Sequence, residues 1–164
     1  TVADTLSSGG GNDVLVGKGG ADSLGGQSGR DKLNGGGGND SLDGGLGNDA
    51  LLGGTGKDTL TGGGGADTFI FSALTHSRAG ALRDVITDFA AGADKIDFRG
   101  LLSSLTDAAG FVGQDAFSGA AGEVRFGVSG SQTIVEVDTN GDKIVDAQVA
   151  LMGILALQDT DFLV

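Results

Sequence analysis

An aspartate recurs every nine residues in the first part of the chain: Asp13, Asp22, Asp31, Asp40, Asp49, Asp58 and Asp67. Each stands beside a cluster of glycines. The units from residue 8 to residue 70 read SGGGNDVLV, GKGGADSLG, GQSGRDKLN, GGGGNDSLD, GGLGNDALL, GGTGKDTLT and GGGGADTFI. Carboxylates brought to one edge, with carbonyls of glycine-rich turns between them, make a hard-oxygen donor set. Such a set suits Ca2+, which takes about six to eight oxygens at roughly 2.3–2.6 Å. Mg2+ fits less well, because it holds a stricter octahedron and keeps its waters. Carboxylates stacked one strand spacing apart, about 4.8 Å, repel one another unless a cation lies between them.

The same period carries the elements that must position these groups. The eighth residue is always large and apolar: Leu15, Leu24, Leu33, Leu42, Leu51, Leu60 and Phe69. The fourth is always glycine: Gly11, Gly20, Gly29, Gly38, Gly47, Gly56 and Gly65. Glycine clusters allow positive φ, so the first six residues of each unit suit a turn and the last three a very short strand. Alternation sends the eighth side chain to one face. No unit buries that side chain alone, but stacked units line it up into one core. Two units then complete one coil of roughly eighteen residues, and units i and i+2 lie above one another. A flexible Gly-rich linker has no reason to hold Asp and Leu in phase seven times. A phosphate loop is a weaker reading still, since no G-K-[S/T] follows any Gly-rich run and no long helix pattern opens after one.

The unit resembles the RTX (repeats-in-toxin) nonapeptide G-G-x-G-x-D-x-U-x, found in Ca2+-binding parallel β-rolls, and the resemblance covers all seven units. It implies that each calcium sits between a unit and the unit two further on. The lower rung gives its aspartate and its second and fourth carbonyls: Gly9, Gly11, Gly20, Gly29, Gly36, Gly38, Gly45 and Gly47. The upper rung gives its aspartate and its first and third carbonyls: Gly26, Ser28, Gly35, Gly37, Gly44, Leu46, Gly53, Thr55, Gly62 and Gly64. Pairing unit one with three, through to five with seven, makes about five sites. Lys18 and Gln27 depart from glycine at position two, and Ser28, Leu46 and Thr55 at position three. Those ligands are main-chain, so what the departures put in question is the local turn.

Net charge is −12, with no cysteine, no proline and one histidine. The acidic balance and the absence of basic runs argue against nucleic acid and anionic membrane as partners. No disulfide can serve as a staple, so metal takes that place. Five Ca2+ would bring about ten positive charges and leave the loaded chain near neutral. Without them, self-repulsion keeps the repeats unfolded. Residues 1–15 lack a basic start and an apolar run, so no signal peptide is expected, and no stretch is long enough for a membrane span. Asp4 and Leu6 fall in phase with Asp13 and Leu15, as though the chain were the tail of a longer protein cut near a repeat.

After residue 71 the period stops. A loop with one helical turn is expected over 72–82, strands over 84–89, 94–98, 123–126, 133–137 and 144–152, and a brief helix over 101–105. Ala66–Leu74, Asp84–Phe89, Asp94–Phe98 and the run from Gly122 to the end resemble the C-terminal domain of serralysin-type secreted metalloproteases. They are also similar to the R-modules of secreted alginate epimerases. The final Asp161-Phe162-Leu163-Val164 is similar to the uncleaved C-terminal secretion signals of that group, and fits a last buried strand equally well. The resemblance implies that Asp84 and Asp88 close the last calcium site; solvent-facing strand aspartates are the other reading. Asp138 to Asp146 partly matches a calcium loop, but Lys143 stands where glycine is wanted and Val149 where glutamate is, so an Asn-Gly turn explains it better.

The expected fold is all-β: a parallel β-roll of nonapeptide repeats (1–71) followed by a mostly antiparallel, sandwich-like β cap (72–164). His76 lies in a surface loop, and there is no H-E-x-x-H, no G-x-S-x-G and no cysteine nucleophile, so no catalytic residue is expected. Together these imply a calcium-dependent folding and secretion module of a bacterial type I-secreted extracellular protein. Its partners would be the type I secretion apparatus and an N-terminal catalytic domain such as a metalloprotease, in a monomer. The rival reading is an extracellular polysaccharide- or surface-binding module, against which stands the lack of Trp and Tyr.

Overall fold

A computed structural model describes residues 2–105 and 110–164. Of the expected spans 1–71 and 72–164, residue 1 and residues 106–109 lie outside the described residues. Eight strands form the repeat region: β1 (Thr5–Gly10), β2 (Val14–Val16), β3 (Ser23–Ser28), β4 (Lys32–Gly37), β5 (Ser41–Leu46), β6 (Ala50–Thr55), β7 (Thr59–Gly64) and β8 (Thr68–Ile70). They alternate between two parallel sheets, β1-β3-β5-β7 and β8-β6-β4-β2. Leu24 pairs with Leu42 and Leu42 with Leu60 in one sheet, Leu33 with Leu51 in the other, so the register step is two units. This is a parallel β-roll.

The strands are longer than the sequence suggests. Most run six residues, from position seven of one unit to position three of the next, and only positions four to six turn. The glycines at positions one to three still find ladder partners, as in Gly45 with Gly63 and Gly36 with Gly54. They are therefore strand and not loop. Position two takes positive φ throughout, including Lys18 at 75° and Gln27 at 70°, where a side chain is strained. The substitutions are carried at a backbone cost without changing the path.

Inside the roll Leu24, Leu33, Leu42, Leu51, Leu60 and Phe69 are buried in one stack, each worth about 1.5–3 kcal/mol on burial. The stack runs on without a break into Ile86, Phe89, Ile96 and Phe98, then Val135, Val149 and Phe162.

Beyond the roll come β9 (Asp84–Ile86), β10 (Lys95–Asp97), β11 (Gly110–Gly113), β12 (Glu123–Ser129), β13 (Gln132–Asp138), β14 (Ala147–Met152) and β15 (Phe162–Leu163). β12, β13 and β14 make an antiparallel meander. The joins to the roll are parallel: β9 pairs with both β7 and β14, and β10 with both β8 and β15. Each roll sheet thus continues across residue 71 into the cap.

Three local expectations need correction. Residues 101–105 form turns and no helix, because Phe98 and Leu102 are drawn into the core while Gly100 breaks the run. The last long strand begins at Ala147, since Ile144 and Val145 belong to the preceding loop. That loop, residues 139–146, is no tight Asn-Gly hairpin; its side chains build it, as described below.

Candidate metal centre

The aspartates form two ladders, one on each edge of the roll. On the edge of units two, four and six, Asp22 N–H donates to Asp40 Oδ1 at 2.8 Å and Asp40 N–H to Asp58 Oδ1 at 2.8 Å. On the other edge, Asp13 N–H donates to Asp31 Oδ1 at 2.7 Å, Asp31 to Asp49 at 2.8 Å and Asp49 to Asp67 at 2.8 Å. One oxygen of each carboxylate from Asp22 and Asp31 upward is thereby spent on the rung below, Asp22 Oδ1 accepting the Asp4 N–H at 2.7 Å; the Asp13 carboxylate, at the open end, takes no such bond among the described residues.

The second oxygen is not. Oδ2 of Asp22, Asp31, Asp40, Asp49, Asp58, Asp67 and Asp84 is buried and, among the described residues, has no hydrogen-bond partner. Carbonyls gather at the same places. A β-carbon built on Gly26 would lie 2.5 Å from Asp31 Oδ2 and 2.6 Å from the Gly44 carbonyl; one on Gly44 would lie 2.5 Å from Asp49 Oδ2 and 2.7 Å from the Gly62 carbonyl. Gly17 and Gly35 make the matching cradles with Asp22 and Gly35, and with Asp40 and Gly53. Position one is glycine because an oxygen-lined space needs the room. The carbonyls of Gly11, Gly20, Gly29, Gly36, Gly38, Gly45 and Gly47 also face the rung above, in contact range of its glycines.

Other expected ligands are already engaged. The third-position carbonyls of Ser28, Gly37, Leu46, Thr55 and Gly64 accept N–H bonds of 2.7–2.8 Å from the rung below, leaving one lone pair each. In the first gap Ser8 replaces glycine and its hydroxyl donates to the Gly26 carbonyl at 2.8 Å, so the gap between units one and three lacks the open cradle. Gly9, at the open end, pairs with Gln27, and a β-carbon built on it would meet nothing. Asp84 continues the ladder above Asp58, as its Oδ1 accepts the Asp58 N–H at 2.8 Å. Asp88 does not: it is exposed, and its two oxygens accept the N–H groups of Gly62 at 2.9 Å and Gly63 at 2.8 Å.

Among the described residues no three His, Cys, Asp or Glu side chains converge. Any cation here would take most of its oxygens from the main chain. Burial pushes the Asp58 and Asp67 carboxyls up to about 6 and that of Asp84 up to about 8. Desolvation is the largest cause; the N–H of the rung below pulls down, and neighbouring aspartates push up. Asp40 and Asp49 are raised for the same reason. Buried, raised, half-satisfied carboxylates beside open carbonyls are the donor set a hard divalent cation fits.

The whole chain, residues 1–164, matches the family described as Peptidase M10 serralysin C terminal. The chain belongs to that family. Metallopeptidase AprA of Pseudomonas marginalis is 36% identical over 93 residues, 56% of this chain and 18% of that protein's length. Two solution structures share the fold, both subunits of the Azotobacter vinelandii mannuronan C5-epimerase. AlgE6R2 has a TM-score of 0.50 at 29% identity, over 96% of this chain and 91% of that one. AlgE6R3 has a TM-score of 0.53 at 28% identity, over 98% and 78%. The repeats of this serralysin C-terminal chain are thus of the RTX type and its fold is the β-roll.

Two features of this family member escaped sequence reasoning. Asp94 ends the second ladder: its Oδ1 accepts the Asp67 N–H and its Oδ2 the Ala90 N–H, both at 2.9 Å, leaving nothing open. Asn at position five caps the next rung, Asn12 accepting Arg30 N–H at 2.8 Å, Asn39 Lys57 N–H and Asn48 Ala66 N–H at 3.0 Å. Its recurrence in three of the units quoted above was the available signal. In the 139–146 loop, Asp138 accepts from Asn140, Gly141 and Lys143, and Asp146 from the N–H and hydroxyl of Thr139. Backbone N–H groups thus take both oxygens of Asp138, and Thr139 takes Oδ2 of Asp146. Lys143 has φ 69°, the conformation glycine would favour. Among the described residues the His76 ring is bonded to Ser72 alone, and no acidic or basic side chain bonds it. Of the terminal tetrapeptide, Phe162 and Leu163 form β15, with Phe162 stacked on Phe111 at 4.9 Å, while Asp161 is the buried end of a 3-10 turn and Val164 is exposed.

Proposed function

We propose that the chain is a calcium-dependent folding and secretion module, non-catalytic itself and the C-terminal part of a type I-secreted extracellular protein. One observation carries this: seven buried carboxylate oxygens without a partner. Leaving one buried polar group unsatisfied costs about 1–3 kcal/mol, more if charged. Seven of them match or exceed the roughly 5–15 kcal/mol of net stability a domain has. The roll therefore needs a cation to be stable, and calcium would neutralise these oxygens where the folded rungs hold them.

Asp22, Asp31, Asp40 and Asp49 would hold it, each with the first-position carbonyl of the next rung and the second and fourth of its own. Asp58, Asp67 and Asp84 extend the series toward the cap. The roll, 1–71, is the metal-responsive part and 72–164 the cap that closes it. At low free calcium the chain stays unfolded and exportable; at about 10⁻⁴ to 10⁻³ M, the range of extracellular modules, it folds. The family description and the short share of AprA that is matched support a parent metalloprotease whose catalytic domain lies N-terminal. No helix among the described residues is long and apolar enough to cross a membrane.

Far-UV circular dichroism during a Ca2+ titration, with Mg2+ as control, tests the reading. A cooperative gain of β signal with Ca2+ alone is expected. A spectrum already folded in chelator overturns it.

A further inference from the structure

Position one is glycine in six of the seven units, from Gly17 through Gly26, Gly35, Gly44 and Gly53 to Gly62, and serine in the first, Ser8. A side chain at this position points into the gap above its own rung. A β-carbon on Gly17 or Gly26 would lie 2.5 Å from Oδ2 of its own unit's aspartate and 2.6 Å from the position-one carbonyl of the next rung. Ser8 carries that carbon, and its hydroxyl donates to the matching carbonyl, Gly26, at 2.8 Å. The register around it is undisturbed, with Ser7 opposite Gly25 and Gly9 opposite Gln27. The aspartate of this unit differs as well. Asp13 is half-exposed and, among the described residues, is the one repeat aspartate with no buried oxygen left unpartnered.

We infer that Ser8 ends the metal ladder: its hydroxyl takes the place a cation has in the gaps above, and the gap between units one and three binds none. This rests on the calcium reading of the upper gaps. It departs from the pairing that the repeat implies, in which Asp13 and Asp31 frame a site like any other. The difference lies in what each gap leaves unsatisfied. In the upper gaps a buried carboxylate oxygen and an open carbonyl both lack a partner, and one cation serves both. In the first gap a neutral O–H serves the carbonyl, and Asp13 reaches water. A cation entering there would have to turn the hydroxyl away. The carbon that bears it would still fill room that glycine keeps clear in the other units. Entry would also relieve no stranded charge, since Asp13 is not sealed off. The residue that decides occupancy is thus the one at position one of the lower rung, which the aspartate column does not reveal.

The test is a count of bound calcium by equilibrium dialysis at millimolar free Ca2+, the range of extracellular modules, with circular dichroism to confirm folding. Ser8→Gly should bind one calcium more per chain than the unsubstituted protein. Ser8→Ala, which keeps the carbon and drops the hydroxyl, should bind the same number. Asp13→Ala should leave the count of the unsubstituted chain as it is, and should remove the added calcium from Ser8→Gly. An unchanged count in Ser8→Gly overturns the inference. So does a calcium lost in Ser8→Ala or in Asp13→Ala alone, since either would make the first gap a site with serine in place. These outcomes leave the upper gaps untouched. A chain that binds no calcium in any form overturns the folding reading on which this one rests.

Discussion

Asp58 and Asp84 are 26 residues apart and yet stand on successive rungs, the N–H of the first donating to Oδ1 of the second at 2.8 Å. Lower rungs are 18 apart. The ladder is therefore kept after the repeat has gone, with the loop before β9 absorbing the added length. The opposite ladder takes a step of 27, from Asp67 to Asp94. The two ends differ in one atom's fate: Asp84 Oδ2 is open, whereas Asp94 Oδ2 receives the Ala90 N–H.

That difference separates two variants. Asp84→Asn keeps the acceptor for Asp58 and removes the charge, so it should raise the calcium midpoint of folding by about tenfold. Asp94→Asn should lower thermal stability while moving that midpoint little. A calcium titration of each by circular dichroism decides; equal shifts would sink the distinction.

Gly35→Ala should be far worse than its small size suggests. Its φ is ordinary, but the added carbon would meet Asp40 Oδ2 and the Gly53 carbonyl. Overpacking there costs about 1–3 kcal/mol and closes the cradle. Isothermal titration calorimetry should show at least one calcium lost. Gly10→Ala, where nothing is near, serves as control.

In chelator the pH dependence has a defined sign. Asp58, Asp67 and Asp84 have folded pKa values above the ordinary carboxylate range, so the folded state holds protons that the unfolded state releases. The metal-free fold should thus gain stability as pH falls from about 8 through about 6, down to the unfolded value near 4. With calcium the sign reverses, since protons compete for the same oxygens. Far-UV circular dichroism between about pH 8 and pH 4 would show β signal appearing on acidification in chelator, where the chain is unfolded at neutral pH, and a calcium midpoint that rises as pH falls; no pH response in chelator would contradict the assignment.

Lys18→Gly should stabilise the loaded chain by about 1 kcal/mol, because Lys18 sits at φ 75° where glycine has no penalty. Leu42→Ala, in the sealed stack, should cost about 2–5 kcal/mol. Thermal melts in saturating calcium read both.

The roll was legible because three independent constraints share one period. Aspartate at position six, an apolar side chain at eight and glycine at four leave one way to stack. Strand length was not legible: glycine at positions one to three speaks for a turn, and only the pairing with the next rung holds it extended. Asp94 was missed since it lies outside the period, and nothing in its neighbours marks a ladder. The short strand β11 was missed for want of alternation in Gly110–Gly113. The loop after β13 was assigned to Asn140-Gly141, whereas Asp138 and Asp146 close it through contacts that spacing alone cannot rank.

Position five is exposed in every unit, and holds asparagine, alanine, arginine or lysine over one unvarying backbone. Position six, its neighbour, is buried from Asp22 onward and never varies. The scaffold thus separates what must be inherited from what is free to drift. Mutations in the outer column leave the buried carboxylates and the core in place, and at Asn12, Asn39 and Asn48 remove only a cap on the rung above, so selection can rewrite the surface one rung at a time. A roll of this kind is a register of independent positions, able to acquire new recognition without renegotiating its fold.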